Sequence, residues 1–556
     1  GYALPPKERC KATVNLVPKR PQRTFAANAS LGAGSWDRYR AEADIGGPLN
    51  ATASLRGRLV VSHEDRGYFY DVGEQQSTNL YGVGEFDLTR NTVLSFGVQK
   101  QRIRSVTNMS GVPFYADGRD IGLPRSTYLD TAWDRFDWDT TRVFAGLEHH
   151  WDNGWQAKIS ANHLTGDSDL KYAGANGAVN PLTGAGPKLT GAAYRFENSQ
   201  DSIDAFASGP FALLGRTHQL LLGANYQKTS TEQFSASFLP ALNVPVNVWS
   251  WNPASVAEPA TGPYTSRDPT RITQSGFYGM GRFSLADPLK LIVGGRVSQW
   301  KQTSPTATAR VNAQFTPYGG LVYALSPQWS AYASYTQIFQ PQTQMTWSGE
   351  LLDPVEGNNY EAGVKGELAD GRLNVSLAVF NIRQKNRAQA DPAHPCVGAA
   401  CYYLASGEVE SQGFEAEATG QVTRDLSLSA AYTYNTTKYL KDATSQGQPF
   451  ARFAPKHILR LWGNYTLPWQ ERRWSLGLGV QAQSEYSVVS GATTLRQDSY
   501  LLANMRIGYR VNRQLSAALN INNLFDRRYY QSLSGATWNN RYGEPLSAML
   551  TLRAEY

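Results

Sequence analysis

Along the last eleven residues of this chain an apolar set of side chains alternates with a mostly polar set, and a period of two indicates a β-strand with two different faces. The apolar face carries Leu546, Ala548, Leu550, Leu552, Ala554 and Tyr556, and the opposite face carries Ser547, Met549, Thr551, Arg553 and Glu555. This pattern, ending on an aromatic residue, is typical of the closing strand of a membrane β-barrel. An edge strand of a soluble β-sandwich alternates in the same way, so the rest of the chain must distinguish the two.

The same alternation recurs along the 556 residues, and no linker divides them into domains. It is clear at 373–379, 426–434 and 474–480. A charged side chain facing lipid at mid-membrane costs about 2 to 4 kcal/mol, which is enough to enforce such patterning. No apolar run approaches the length of a membrane helix, so a helical membrane protein is excluded.

Short and long connections alternate between these stretches. Short ones lie at 47–50, 89–92, 151–154, 286–288, 326–328, 369–372, 423–425 and 511–513. Long ones lie near 105–136, 166–193, 229–270, 338–356, 386–406, 439–453 and 522–543. Short turns on one rim and long loops on the other favour the membrane barrel over the sandwich. The predicted fold is all-β: a transmembrane antiparallel β-barrel of about 22 strands with short periplasmic turns and long extracellular loops.

Charge and composition exclude several other classes of protein. The net charge of +7 comes from dispersed Lys and Arg residues with no basic block, which argues against nucleic-acid binding. Three cysteines are too few for a disulfide framework. No Ser/His/Asp or paired-carboxylate constellation stands out, so we predict neither an enzyme nor a protein metal site.

Several segments in the C-terminal half resemble the TonB-dependent outer-membrane receptors for iron–siderophore complexes. They are 277–296, 330–342, 351–368, 380–388, 410–420, NINNLFDRRYY at 520–530 and RYGEP at 541–545. The resemblance implies a 22-stranded barrel in a Gram-negative outer membrane, surrounded by lipid and lipopolysaccharide, and a monomer. Within the family, 123–141 is most similar to the hydroxamate branch, the ferric-coprogen and ferric-pyoverdine receptors.

The first residues differ from the family pattern. The segment 13–21 is similar to the last strand of the family's plug domain and to its junction with the barrel. We therefore expect residues 1–21 to be a plug remnant and 22–556 to be the barrel, with the rest of the plug and the TonB-contacting box absent. The expected function is a ferric-siderophore receptor energised through TonB in the full-length form. An open porin-like pore, or a non-functional remnant without a plug, is the alternative.

A siderophore supplies the oxygen ligands of its iron, so the protein needs no cofactor but a concave surface with aromatic walls and a few polar anchors. The aromatic candidates for ligand binding are Tyr115, Trp133, Phe136, Trp138, Tyr335, Phe339 and Trp347. Each is equally readable as a loop-packing or girdle aromatic. Arg119, Arg125 and Arg135 either attract an anionic complex or solvate the loop.

Two cysteines, Cys396 and Cys401, lie in a predicted extracellular loop, where oxidation is expected. A small loop disulfide is a better interpretation than a metal pair, because no second pair of ligands has suitable spacing.

Overall fold

The computed structural model describes residues 18–397 and 401–556. In this part of the chain, 22 antiparallel strands form one closed barrel, which confirms the predicted fold. The strands are Ala26–Gly34, Arg38–Pro48, Leu55–Gly67, Glu74–Thr89, Thr92–Val106, Arg135–His150, Gln156–Asn176, Lys188–Leu213, Arg216–Ala236, Thr265–Ser284, Leu289–Thr303, Thr308–Ala324, Trp329–Gln340, Val355–Leu368, Leu373–Ala390, Tyr403–Gln421, Leu426–Lys441, His457–Thr466, Trp474–Gln483, Tyr500–Arg510, Leu515–Asn522 and Ser547–Glu555.

The barrel closes where the last strand pairs with the first. Leu31 stands opposite Leu552, and Ala33 stands opposite Leu550. Leu31, Leu550 and Leu552 are between 45% and 63% exposed and share the outward face, where lipid replaces water. The apolar face inferred for the last strand is therefore the lipid-facing side.

The inner wall near the short turns carries a network of ion pairs between neighbouring strands. Arg56 bonds the carboxylates of Glu85 and Asp87, and Arg58 bonds Asp44 through two nitrogens at 2.7 Å. Arg56, Glu85 and Asp44 are all buried. Such charges are tolerated in a barrel lumen because each is paired and hydrogen-bonded.

The two rims differ as predicted, but several strands are longer than expected. Lys188–Leu213 has 26 residues, and much of the segment predicted as a loop at 166–193 continues the ladder as far as Asn176 and resumes at Lys188. Above the bilayer no lipid faces this hairpin, and Ala173 and Ala175 are buried against other loops, so its strands lack the apolar alternation of the membrane part and the pattern does not reveal them. On the other rim, a 3₁₀ turn at Gln470–Arg472 occupies one connection.

Short strand pairs order the long loops at the extracellular rim. They are Phe238–Leu239 with Ala260–Thr261, Tyr486–Ser490 with Thr493–Gln497, and Tyr530–Ser532 with Arg541–Tyr542. The two-residue strand Val244–Pro245 adds to the edge of Lys188–Leu213. Among the described residues, no helix is long and apolar enough to cross a membrane.

Candidate ligand-binding site

Several long loops pack on one another above the barrel and enclose a common apolar core, here called the loop core. Its members are Val112, Phe114, Leu123, Leu129, Ala173, Ala175, Val179, Leu189, Ala193, Ala236, Phe238, Val246, Val248, Leu495, Tyr530, Ala536 and Tyr542. Because burial of these side chains stabilises the loops, the surface beneath them is preformed rather than flexible.

Gly111 allows two of these loops to approach closely. It has φ of +60°, and a Cβ there would collide with the backbone carbonyl of Asn540. The fully buried Asn540 side chain donates to the carbonyl oxygens of Val112 at 2.8 Å and Gly535 at 2.7 Å. The contact joins the loop at 107–134 to the last long connection, at 523–546.

Replacing Gly111 with alanine is expected to loosen this contact, because the left-handed conformation alone costs a residue with a Cβ about 1 to 2 kcal/mol and the collision adds to it. Hydrogen exchange of the amides at 107–134 should rise. Gly122→Ala is the matched control, since Gly122 has φ of +77° but no atom within 4 Å of its Cβ position. Equal effects of the two substitutions would show that the close approach is unimportant.

Beneath the loop core, at the extracellular end of the lumen, lies a cavity of about 410 Å³. Strand ends and loops from distant parts of the sequence line it. The lining residues are Arg66, Tyr68, Phe69, Tyr70, Gln75, Ile103, Ser105, Thr107, Asn108, Val112, Arg125, Thr127, Phe136, Trp138, Gln531, Asn540, Arg541, Tyr542 and Glu544. We call this cavity the vestibule pocket.

Aromatic rings form much of the wall of the vestibule pocket. Tyr68 and Tyr70 are stacked with centroids 5.0 Å apart, and the rings of Phe136 and Trp138 lie 4.6 Å apart. Burial raises the pKa of the Tyr68, Tyr70 and Tyr542 hydroxyls, so the wall stays uncharged. A wall of this kind offers flat apolar surface with polar edges.

Three arginines place positive charge in the vestibule pocket. Arg66 lies over the ring of Tyr68 at 4.5 Å, and Arg541 donates to the carbonyl oxygen of Met109 at 3.4 Å. Arg125 forms an ion pair of 2.6 Å with Asp526 through one terminal nitrogen, and its other terminal nitrogen is buried without a hydrogen-bond acceptor in the described part of the chain. An unsatisfied buried donor of this kind favours an acceptor on a ligand.

Two buried carboxyl groups hold the loop at 107–134 in place. Asp130 accepts hydrogen bonds from the amides of Met109 and Ser110, and Asp134 accepts one from the amide of Ala173 at 3.0 Å. Burial raises the pKa of Asp130, and burial together with the charge of Asp130 raises the pKa of Asp134. The loop that carries Arg125 therefore depends on a carboxyl pair that resists ionisation.

The structure brings two of the seven aromatic candidates into the vestibule pocket. Phe136 and Trp138 lie near the start of Arg135–His150 and line the cavity. Trp133 instead donates its indole N–H to the carbonyl of Val256 at 3.1 Å and packs, like Tyr115, against the loop core.

The other three candidates lie elsewhere. Tyr335 shares the outward face of its strand with Ala333, which stands opposite the exposed Leu321, and its ring lies 5.2 Å from that of Tyr360. Phe339 packs in a separate cluster around Trp300. Trp347 is 58% exposed and stacks on His394 at 4.3 Å.

Sequence reasoning missed Tyr68, Tyr70, Arg541 and Tyr542 as site residues. Three consecutive aromatics at 68–70, beside Arg66, are the available signal for the first pair. Their connection is only six residues long, at 68–73, so it does not stand out among the long loops. Arg541 and Tyr542 belong to the RYGEP motif at 541–545, which indicates the family. The motif by itself does not indicate that these two residues line the ligand-binding site.

The structure contains a disulfide between Cys396 and Cys401. In the described ranges, no group of three or more His, Cys, Asp and Glu side chains is placed to hold a metal ion.

Comparison with known proteins gives consistent matches over nearly the whole chain. Residues 99–524 match the family described as TonB dependent receptor-like, beta-barrel. The ferric-pyoverdine M114 receptor of Pseudomonas sp. strain M114 is 37% identical over 98% of this chain and 68% of its own length. The ferripyoverdine receptor of Pseudomonas aeruginosa is 33% identical over the same shares of the two chains.

The crystal structure of the P. aeruginosa ferripyoverdine receptor bound to ferripyoverdine superposes with a TM-score of 0.90 at 31% identity, covering 99% of this chain and 74% of that one. Its barrel is therefore built in the same way as the one described above. The chain belongs to the family of TonB-dependent siderophore receptors of the outer membrane.

Proposed function

We propose that this receptor takes up a ferric siderophore of the pyoverdine class, with hydroxamate groups among its iron ligands, and that the vestibule pocket is where the complex docks. The observation that carries the proposal is the cavity itself, which combines stacked aromatic walls with Arg66, Arg125 and Arg541 at the extracellular end of the lumen. A ferric siderophore presents oxygen atoms and flat, delocalised groups to the protein. The flat apolar walls can contact the flat groups, and the cationic hydrogen-bond donors can bind the oxygen atoms.

The relatives support the choice of siderophore class. The two receptors compared above are described as ferric-pyoverdine receptors and are 33% and 37% identical to this chain. The similarity of 123–141 to the hydroxamate branch favours hydroxamate ligands, and this segment contributes Arg125, Thr127, Phe136 and Trp138 to the pocket. The iron arrives inside its chelate, so the proposal needs neither a cofactor nor a catalytic group.

The remaining partners follow from the same proposal. Residues 1–21 are the remnant of a plug domain and its junction with the barrel, 22–556, and TonB acts through the plug of the full-length form; residues 1–17 lie outside the described part. Lys19 pairs with Asp44 at 2.8 Å and Arg20 pairs with Glu85 and Glu148, which fixes this connection to the inner wall. The barrel works as a monomer in contact with outer-membrane lipid and lipopolysaccharide.

Titration of the purified protein with a panel of ferric siderophores, followed by tryptophan fluorescence, tests the ligand class. The panel contains a ferric pyoverdine, a ferric trihydroxamate, a ferric catecholate and a cobalamin. We expect the hydroxamate-containing complexes to bind at least about tenfold more tightly than the catecholate, a difference of ~1.4 kcal/mol. Binding of the cobalamin alone would contradict the proposal.

A further inference from the structure

One carboxylate in the wall of the vestibule pocket has no partner that neutralises it. Glu544 lines the cavity and is partly buried. In the described part of the chain, no lysine, arginine or histidine nitrogen lies within 4.0 Å of its carboxylate oxygens. Its backbone carbonyl accepts a hydrogen bond, but its side chain accepts none from a described residue. An anionic acceptor in the wall of a ligand pocket is therefore left for a group on the ligand.

The positive groups of the same pocket are held by other contacts and form no ion pair with Glu544. Arg125 pairs with Asp526 at 2.6 Å. The guanidinium group of Arg66 lies over an aromatic ring, and Arg541 donates to a backbone carbonyl oxygen. A ligand therefore meets separate positive and negative groups in one cavity.

The main chain around Glu544 is fixed by contacts on both sides of the residue. The buried Asn523 side chain donates to the carbonyl oxygen of Glu544 at 3.0 Å. The amide of Gly543 donates to the carbonyl oxygen of Tyr529 at 2.8 Å, and a Cβ at Gly543 would collide with the Tyr529 ring. Because this backbone is already ordered, a ligand that binds the carboxylate does not have to order the loop.

Aromatic rings next to Glu544 also favour a positively charged group. The ring of Tyr529 lies against that of Tyr500, with centroids 4.6 Å apart. Burial raises the pKa of Tyr529, and the negative charge of Glu544 raises this pKa further, so the ring stays uncharged. The faces of aromatic rings attract cations, as a carboxylate does.

We propose that Glu544 is a specificity-determining residue, which binds a cationic group that the ferric siderophore carries beside its iron-chelating groups. An ammonium or a guanidinium group of the ligand bonds to the carboxylate, while oxygen atoms of the same ligand bind the arginines. This inference rests on the proposed function and adds to it one charge that the ligand must carry.

The site discriminates because a neutral group at this point gives nothing in return for the lost water. When the ligand fills the pocket, it removes water from the Glu544 carboxylate. A cation replaces that water with a charge-assisted hydrogen bond, whereas a neutral amide or methyl group leaves the carboxylate buried and unpaired. Siderophores without the cation are therefore selected against.

Isothermal titration calorimetry with three forms of one ligand tests the inference. The parent is a ferric pyoverdine whose peptide carries one primary amine and no guanidine. Its N-acetyl derivative is neutral at this amine, and its N,N-dimethyl derivative keeps the charge and adds bulk. We expect the unmodified receptor to bind the acetylated form about tenfold more weakly than the parent, and the dimethylated form within about threefold of it.

Glu544→Gln keeps the size of the side chain and removes its charge. We expect this variant to bind the parent about tenfold more weakly than the unmodified receptor does, and to change the affinity for the acetylated form by less than about twofold. Glu485→Gln is the matched control. Glu485 is an exposed carboxylate near the extracellular rim, 3.7 Å from Arg496, and does not line the vestibule pocket. Its replacement should preserve the full difference between the parent and the acetylated form.

The outcomes separate this inference from the proposed function. Equal binding of the parent and the acetylated form to the unmodified receptor would overturn the inference and leave the proposed function standing. So would a Glu544→Gln variant that binds both forms as the unmodified receptor does, or that weakens both equally. The same effect from Glu485→Gln as from Glu544→Gln would assign the selectivity to net charge and not to the contact. If the unmodified receptor bound none of the three forms, the proposed function would fail, and the inference with it.

Discussion

Replacing Trp138 with alanine is expected to weaken binding of the ferric siderophore by about thirtyfold, equivalent to ~2 kcal/mol, because central aromatic anchors dominate the binding free energy of such pockets. Trp138 supplies one wall of the vestibule pocket and packs on Phe136, so its removal also frees the neighbouring ring. Isothermal titration calorimetry measures the change without relying on tryptophan emission.

Trp347→Ala provides the comparison for this experiment. Trp347 lies in another loop, 58% exposed and stacked on His394, and does not line the vestibule pocket. Its loss is expected to change the affinity by less than about twofold, in line with residues outside the centre of an interface. If Trp347→Ala weakened binding and Trp138→Ala did not, the ligand would dock among the outer loops instead.

Raising the pH is expected to loosen the loop at 107–134, and Asp134→Asn should abolish much of this dependence. Because the pKa of both Asp130 and Asp134 is raised in the folded loop, the protonated pair contributes its full stabilisation below the ordinary aspartate pKa of about 3.9. That contribution is lost as the pH rises through the raised pKa values. In this window the opening equilibrium grows by up to about tenfold per pH unit for each proton released.

Hydrogen exchange of peptides from 107–134, compared between wild type and variant at each pH, measures this effect and cancels the intrinsic pH dependence of exchange. Asp117→Asn is the control, because Asp117 is an exposed carboxyl group whose pKa is lowered by hydrogen bonds from Arg119. Its pH profile should match that of the wild type. A flat wild-type profile would mean that the carboxyl pair does not ionise in the loop.

The barrel could be predicted from sequence because lipid imposes a period of two on each strand within the membrane. Leu377 and Val379 fall on one predicted face, and both are exposed outward in the structure. The extensions above the membrane could not be predicted in this way. Residues 166–176, for example, continue a strand above the membrane, where lipid imposes no apolar outward face and Ala173 and Ala175 pack into the loop core.

The vestibule pocket was only partly predictable, since its residues come together from widely separated stretches. Tyr68, Trp138 and Tyr542 line one cavity although more than 400 positions separate the first from the last. Tyr335 shows the opposite problem, because an aromatic near the extracellular end of a strand points into the lumen or outward according to its parity alone. Choosing between the two requires the register of the strand.

The pairing of the first strand with the last has a consequence for how the receptor is made. Ala27 and Tyr556 bond each other's backbones at 3.0 Å and 2.8 Å, so the sheet closes only through contacts between opposite ends of the chain. Contacts of such high sequence separation form late and slowly. Until the final nine-residue strand arrives, two unpaired edges remain, and hydrocarbon offers no hydrogen-bond partner to either of them. A nascent barrel is therefore fully hydrogen-bonded in the membrane only once its C-terminal strand has paired with its first strand.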